Sequence, residues 1–113
     1  MPMFSMDNMR KLKRFSSLAH GNTWKMFVAF NSEAMADGAI SQKNKQLISL
    51  AVALTTQCPY SIEIHRENAK ASGATDEELA EVVFIAAAIR ASSAITHGTH
   101  LIGAEDEQSG EGE

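Results

Sequence analysis

Cysteine is nearly absent from this chain. A single thiol, Cys58, stands among 113 residues, so no intramolecular disulfide can form and the disulfide-stapled secreted class is excluded. Proline occurs twice, at positions 2 and 59, so little interrupts a helical chain. Aromatic residues make up 6% and sustained period-2 alternation is missing, which argues against strands. Basic residues number 10 against 14 acidic ones, a net charge of −4. That balance excludes a general nucleic-acid binder, which needs excess positive charge. The longest uninterrupted apolar run, Val82 to Ile89, has eight residues, far short of a membrane span. The first 20 residues hold no apolar signal-peptide core, so a cytoplasmic protein with no membrane partner is the expectation.

What remains is an ordinary globular composition, 44% hydrophobic and 21% charged, at the small end of single-domain size. The expected unit is one all-α domain over residues 1–104, with residues 1–21 as a helical arm. Residues 105–113 hold five acids and no base and are expected to be a disordered acidic tail. Residues 1–45 carry seven basic and three acidic side chains. The cluster Arg10, Lys11, Lys13 and Arg14 reads as a solvated helix face.

Five to six helices are expected. The first is weakly amphipathic and runs from Met6 to about Leu18. The second spans 22–36, closed by Asp37-Gly38. Ser41 caps a third over 42–57. A fourth opens at Cys58-Pro59 and stops before Gly73. Thr75-Asp76-Glu77-Glu78 is a capping box for a fifth, over 76–90 and on through Ala91–Ala94, with a last short piece at His97–Leu101. The third and fifth are apolar almost all round and must be covered on every side. One subunit of this size cannot do that, so a homo-oligomer, a hexamer or trimer, is expected.

The chemistry centres on Cys58-Pro59-Tyr60-Ser61 and His65. Pro59 suits the first helical position and puts Cys58 at the N-cap, where free N–H groups and the helix dipole favour thiolate. Positions 58, 61, 62 and 65 share one helix face. His65 can reach the Ser61 hydroxyl and exchange a proton with Cys58, the minimum for nucleophilic thiol chemistry. The competing reading makes Cys58 a small buried hydrophobe and His65 a satisfied core histidine. Tyr60 is placed to shape access to the sulfur. His97 and His100 are three apart, but no carboxylate pattern supports a metal. No metal or cofactor is called for.

The stretches Lys45-Gln46-Leu47-Ile48, Cys58-Pro59-Tyr60-Ser61-Ile62, His65, Gly73-Ala74-Thr75, Glu77-Glu78-Leu79 and Arg90 to Gly98 together resemble the carboxymuconolactone decarboxylase / alkylhydroperoxidase D (AhpD-like) family, over about residues 22–103. The family pattern is Glu, eleven residues, Cys-x-x-Cys, three residues, His. Here Gln46, Cys58, Ser61 and His65 keep that register. The resemblance implies an all-helical, oligomeric fold. It also implies a thiol-dependent antioxidant acting on peroxide, with a thiol or peroxiredoxin-type redox partner. Cys58, Ser61, His65 and Gln46 would be the catalytic set, beside Tyr60 and His97. Other members are decarboxylases without the cysteine pair, so the alternative is a non-redox enzyme of that kind or an oligomeric binding module. Ser61 stands where the second cysteine belongs, either natively or as a Cys→Ser replacement. Gln46 stands where a relay glutamate belongs, and an amide orients a proton carrier without itself shuttling protons.

Overall fold

The computed structural model describes residues 4–104, and the acidic tail over 105–113 lies outside them. All described secondary structure is helical: α1 (Arg14–Leu18), α2 (Thr23–Met35), α3 (Gln42–Thr56), α4 (Pro59–Ala71) and α5 (Asp76–Gly98). A 3-10 segment, Met6–Lys13, leads into α1, and another, Thr99–Leu101, follows α5.

The helix boundaries follow from local chemistry. Ser41 accepts from the Asn44 N–H at 3.2 Å and opens α3. Thr75 and Glu78 form a reciprocal capping box at the start of α5. Gly73, at φ +95°, closes α4 in a Schellman turn: its N–H donates to Lys70 and the Ala74 N–H donates to Ala69. Ala69 and Ala74, the two ends of that turn, are both buried and sit in the core with Leu50 and Val82. The α3–α4 turn repeats the arrangement without a glycine. Gln57 takes φ +57°, and the Cys58 N–H reaches back to the Ala53 carbonyl at 3.1 Å. Pro59 then holds the preceding residue extended, and Cys58 has φ −98° and ψ 101°.

The expected first helix is corrected. Residues 6–13 wind as 3-10 helix and only 14–18 as α-helix. None of the residues from 6 to 18 is buried, so no packed face imposes the 3.6-residue period. The C-terminal helix is longer than expected. No glycine or proline interrupts it before Gly98, so the 23-residue helix takes in His97, and the short piece expected over 97–101 remains as the 3-10 turn Thr99–Leu101.

α3 is the centre of the fold. It packs against α4 on one side and α5 on the other, around Leu50, Ala69, Ala74 and Val82, with Leu47, Leu54 and Leu79 at the edge. Lys43 pairs with Glu78 at 2.9 Å, and Arg90 donates to the Thr55 carbonyl at 2.8 Å. These contacts clamp α5 to both ends of α3. Lys45 reaches the carbonyls of Ala34 and Ala36 and ties α3 to the C-terminal end of α2.

The chain is elongated. Its radius of gyration is 19.7 Å, against about 13 Å for a compact globule of this length. Ile48 and Val52 on α3 and Val83, Phe84, Ile89 and Ile95 on α5 are exposed. By length and composition alone, Asp76–Leu101 is apolar enough to cross a membrane, with a mean hydropathy of 1.6 over its best window. An interior helix of a protein assembly meets the same criterion.

The left-handed positions on either side of α4 should respond oppositely to substitution. A Cβ at Gly73 would meet nothing within 4 Å, so Gly73→Ala carries only the conformational penalty and should destabilise by about 1 kcal/mol. Gln57→Gly relieves the same penalty and should stabilise by about 0.5–1 kcal/mol. Urea unfolding midpoints check both, and shifts of the same sign would contradict the analysis.

Candidate functional site

The site forms where α3 and α4 face each other. Gln42 and Gln46 are four apart on α3, while Ser61, His65 and Asn68 follow helical spacing on α4. Gln46 is the buried polar residue of the described core, 6% exposed. Its Oε1 lies 2.7 Å from His65 Nδ1. An amide oxygen only accepts, so Nδ1 carries the hydrogen and donates it, leaving Nε2 as the basic nitrogen. Burial pulls the His65 imidazole below its ordinary value of 6.5, because the charged form loses hydration. At neutral pH His65 is therefore an uncharged base of fixed tautomer.

Cys58 sits half-buried at the N-cap of α4. Its thiol makes no capping hydrogen bond of ordinary geometry. It nevertheless lies close enough to its neighbours for its pKa to fall below the usual thiol value. The Ser61 hydroxyl contributes most, then the Ser61 N–H, with the Tyr60 N–H adding less, and burial opposes them. The cause is donation to the thiolate by groups that the start of a helix leaves free.

A cavity of about 650 Å³ opens beside these residues. Gln46, Ser61 and His65 line it together. Cys58 is not in its wall but stands one helical turn from Ser61, which is. The apolar part of the wall comes from Met9, Phe27, Met35 and Ile64, and further polar groups from Asn31, Ser32, Gln42 and Asn68. The structure thus brings Gln46, Ser61 and His65 together, with Cys58 adjacent. Tyr60 lies on the outer side. Its hydroxyl accepts from Asn8 Nδ2 at 2.7 Å, and its ring meets Phe4 edge-on with centroids 6.1 Å apart. The arm thereby docks against the start of α4. His97 is not brought to this cavity within one chain. It lines a separate small pocket with Ser92, Ser93 and Thr96, and its ring lies 6.4 Å from that of His100. Among the described residues no group of three or more His, Cys, Asp or Glu side chains gathers in a metal-binding arrangement.

Sequence reasoning did not find Gln42, Asn68, Phe27, Met35 or Met9. The first two were legible, because each lies at helical spacing from a residue already singled out. Met9 carries no local signal, since its place depends on the arm reaching α4 across some fifty positions.

Two titrations test this geometry. Gln46→Glu puts a carboxylate against Nδ1–H, which stabilises imidazolium and should raise the His65 midpoint by at least about one pH unit. An unchanged His65 shift titration would contradict the hydrogen bond. In the parent protein the neutral imidazole is the folded form. The unfolded chain therefore binds the proton first as pH falls below 6.5, and stability drops down to the lowered folded value. His65→Gln should remove that loss from the pH dependence of the urea midpoint.

Comparison with known proteins agrees with this architecture. Residues 23–102 match the carboxymuconolactone decarboxylase family. A relative from Paracoccus denitrificans, "uncharacterized protein 4 in cox locus", is 42% identical over 84 residues, covering 74% of this chain and 76% of that protein. The crystal structure of a carboxymuconolactone decarboxylase family protein from Legionella pneumophila superposes with a TM-score of 0.68 at 31% identity, over 74% of this chain and 73% of that one. A crystal structure from Methanobacterium thermoautotrophicum gives a TM-score of 0.70 at 30% identity, over 83% of this chain and 97% of the other. The matched segment takes in α2 to α5 with Gln46, Cys58, Ser61 and His65, and the chain belongs to the carboxymuconolactone decarboxylase family.

Proposed function

We propose that the protein is a one-cysteine, thiol-dependent peroxidase in which Cys58 is the nucleophile. The observation that supports this reading best is the Cys58 thiol at the start of α4, its pKa lowered by the Ser61 hydroxyl and the first N–H groups of the helix. The Cys58 thiolate attacks one oxygen of a peroxide. The O–O bond breaks, sulfur becomes sulfenic acid, and the departing alkoxide takes a proton, leaving as alcohol or water. His65 Nε2 is the base that accepts the thiol proton and returns it to the leaving oxygen, directly or through water. Gln46 fixes the imidazole tautomer, and Ser61 holds the thiolate. With a hydroxyl at position 61, no internal sulfur can resolve the sulfenic acid. An outside thiol, small or carried by a peroxiredoxin-type partner, condenses with it to release water, and a second thiol then reduces the mixed disulfide.

The working form in this reading is a homo-oligomer, a trimer or hexamer, that buries the exposed apolar stripes of α3 and α5. Its support is the elongated chain and the exposed Phe84 and Ile95, 73% and 75% accessible. The cytoplasm, where external thiols are abundant, is the compartment this chemistry needs.

One observation favours a second reading. The cavity is lined by His65 and Ser61 but not by Cys58. A base in a cavity without the thiol also suits non-redox chemistry of the decarboxylase kind on a small organic molecule.

Peroxide treatment followed by sulfenic-acid trapping distinguishes the two. Adduct should form at Cys58. His65→Ala should slow its formation by about 10²-fold or more and slow alkylation of Cys58 at neutral pH. A Cys58 that alkylates no faster than a free cysteine and forms no sulfenate would remove the peroxidase reading. Light scattering without detergent should give a mass several times 12.2 kDa. A monomer, or a protein held in solution only by detergent, would contradict the assembly.

A further inference from the structure

The cavity between α2, α3 and α4 has a chemical character of its own. Its volume, about 650 Å³, lies within the ordinary range for small-molecule sites. Its wall contains no Asp, Glu, Lys or Arg, and its one titratable side chain, His65, is held neutral by burial. Two of the helix ends that border it are compensated within the chain. The N-terminal Gln42 N–H of α3 donates to Asp37 Oδ1, while Lys45 caps the carbonyls at the C-terminal end of α2. An incoming carboxylate would therefore meet no cationic side chain in the wall, while an uncharged polar group would give up less hydration on entering. Amide and hydroxyl groups of Gln42, Ser61 and Asn68 offer donors and acceptors. Met9, Phe27, Met35 and Ile64 supply the apolar part of the wall.

Met9 differs from the rest of that wall. It lies on the N-terminal arm, not on one of the long helices, and the arm is held at α4 by the Asn8–Tyr60 hydrogen bond and the Phe4–Tyr60 ring contact. Met9 follows Asn8 directly, so the anchoring bond fixes where its side chain enters the cavity.

We propose that this cavity binds an uncharged amphipathic organic molecule, its polar end at Gln42, Ser61 and His65, and that Met9 sets the length of apolar chain it accepts. The inference concerns the same site as the peroxidase reading but does not rest on the thiol. On the peroxidase reading it makes the preferred substrate one with a neutral apolar body, held against Ser61, one helical turn from Cys58. On the non-redox reading it disfavours a free carboxylate.

Trp24 supplies a probe. It is the single tryptophan of the chain, and its ring lies 5.8 Å from that of Phe27 in the cavity wall. The experiment titrates primary alcohols of increasing length, hexanol to dodecanol, and the matching carboxylates at neutral pH into the Cys58→Ala protein. It follows Trp24 fluorescence and the His65 imidazole shift. Using Cys58→Ala separates failure of this inference from failure of the peroxidase reading, which sulfenate trapping tests. Octanol should perturb both signals saturably, and octanoate should bind at least about tenfold more weakly. Met9→Ala should move the preferred chain to a longer alcohol and Met9→Phe to a shorter one, while Met9→Leu leaves it in place. Circular dichroism identifies any variant that does not fold, and the remaining variants then carry the test. Equal binding of octanoate and octanol, no saturable binding, or a chain-length preference indifferent to every folded Met9 variant would overturn the proposal.

Discussion

The hydrogen bond between His65 and Gln46 is the constraint on which the rest of the site depends. Gln46 is buried on the helix at the centre of the bundle, and a buried amide without a partner would cost roughly 1–3 kcal/mol. His65 satisfies it from the neighbouring helix at 2.7 Å. The bond therefore fixes the rotation of α4 relative to α3, and with it every residue on the α4 face that carries His65. It also selects the imidazole tautomer. The same contact that makes the α3–α4 pairing specific thus makes His65 a base with a defined free nitrogen. Replacing the acceptor by a carboxylate would preserve the packing and change the chemistry, so structural and chemical roles can be separated at this position.

The short turn between those helices imposes the second condition. Gln57 adopts a left-handed conformation and Pro59 allows the helix to begin at once. Cys58, between them, is forced extended, with its side chain at the N-terminus of α4. The left-handed residue costs about 1 kcal/mol where glycine would not. The core contacts of α3 and α4 on either side offset that cost. The lowered pKa of Cys58 is thus a consequence of how two helices are joined.

Much of this was legible in the chain because it rests on local rules. Ser41, the capping box at Thr75, Pro59 and Gly73 mark helix ends by their own side-chain or backbone chemistry, and the structure places the ends within a residue of them. The facing of Gln46 and His65 was legible only through the family register, since nineteen positions separate them. The arm was not legible as drawn. Its sequence is weakly amphipathic, but none of its residues is fully buried, so helical period does not translate into α-helix. Its role comes from contacts between Asn8 and Tyr60, which no periodicity encodes. His97 shows the limit from the other direction: its spacing along α5 carries it past Arg90, which is tied to the far end of α3, and away from the cavity in a single chain.

The relation between cavity and thiol constrains what a mechanism can be. Ser61 touches both: its side chain lines the cavity and is the main influence lowering the Cys58 pKa. A molecule held in the cavity by its polar end would lie against Ser61 and His65, with the sulfur one turn along the same face. Cys58 itself is half-buried. On the proposed reading this thiol must be reached twice, by the peroxide and by an outside reductant. Two-cysteine chemistry needs only the first approach, because the resolving sulfur is internal. With serine at position 61, the second approach becomes obligatory for turnover. On the proposed reading the exposed side of the α4 N-terminus, where Tyr60 and the arm lie, is then part of the catalytic surface and not merely its support.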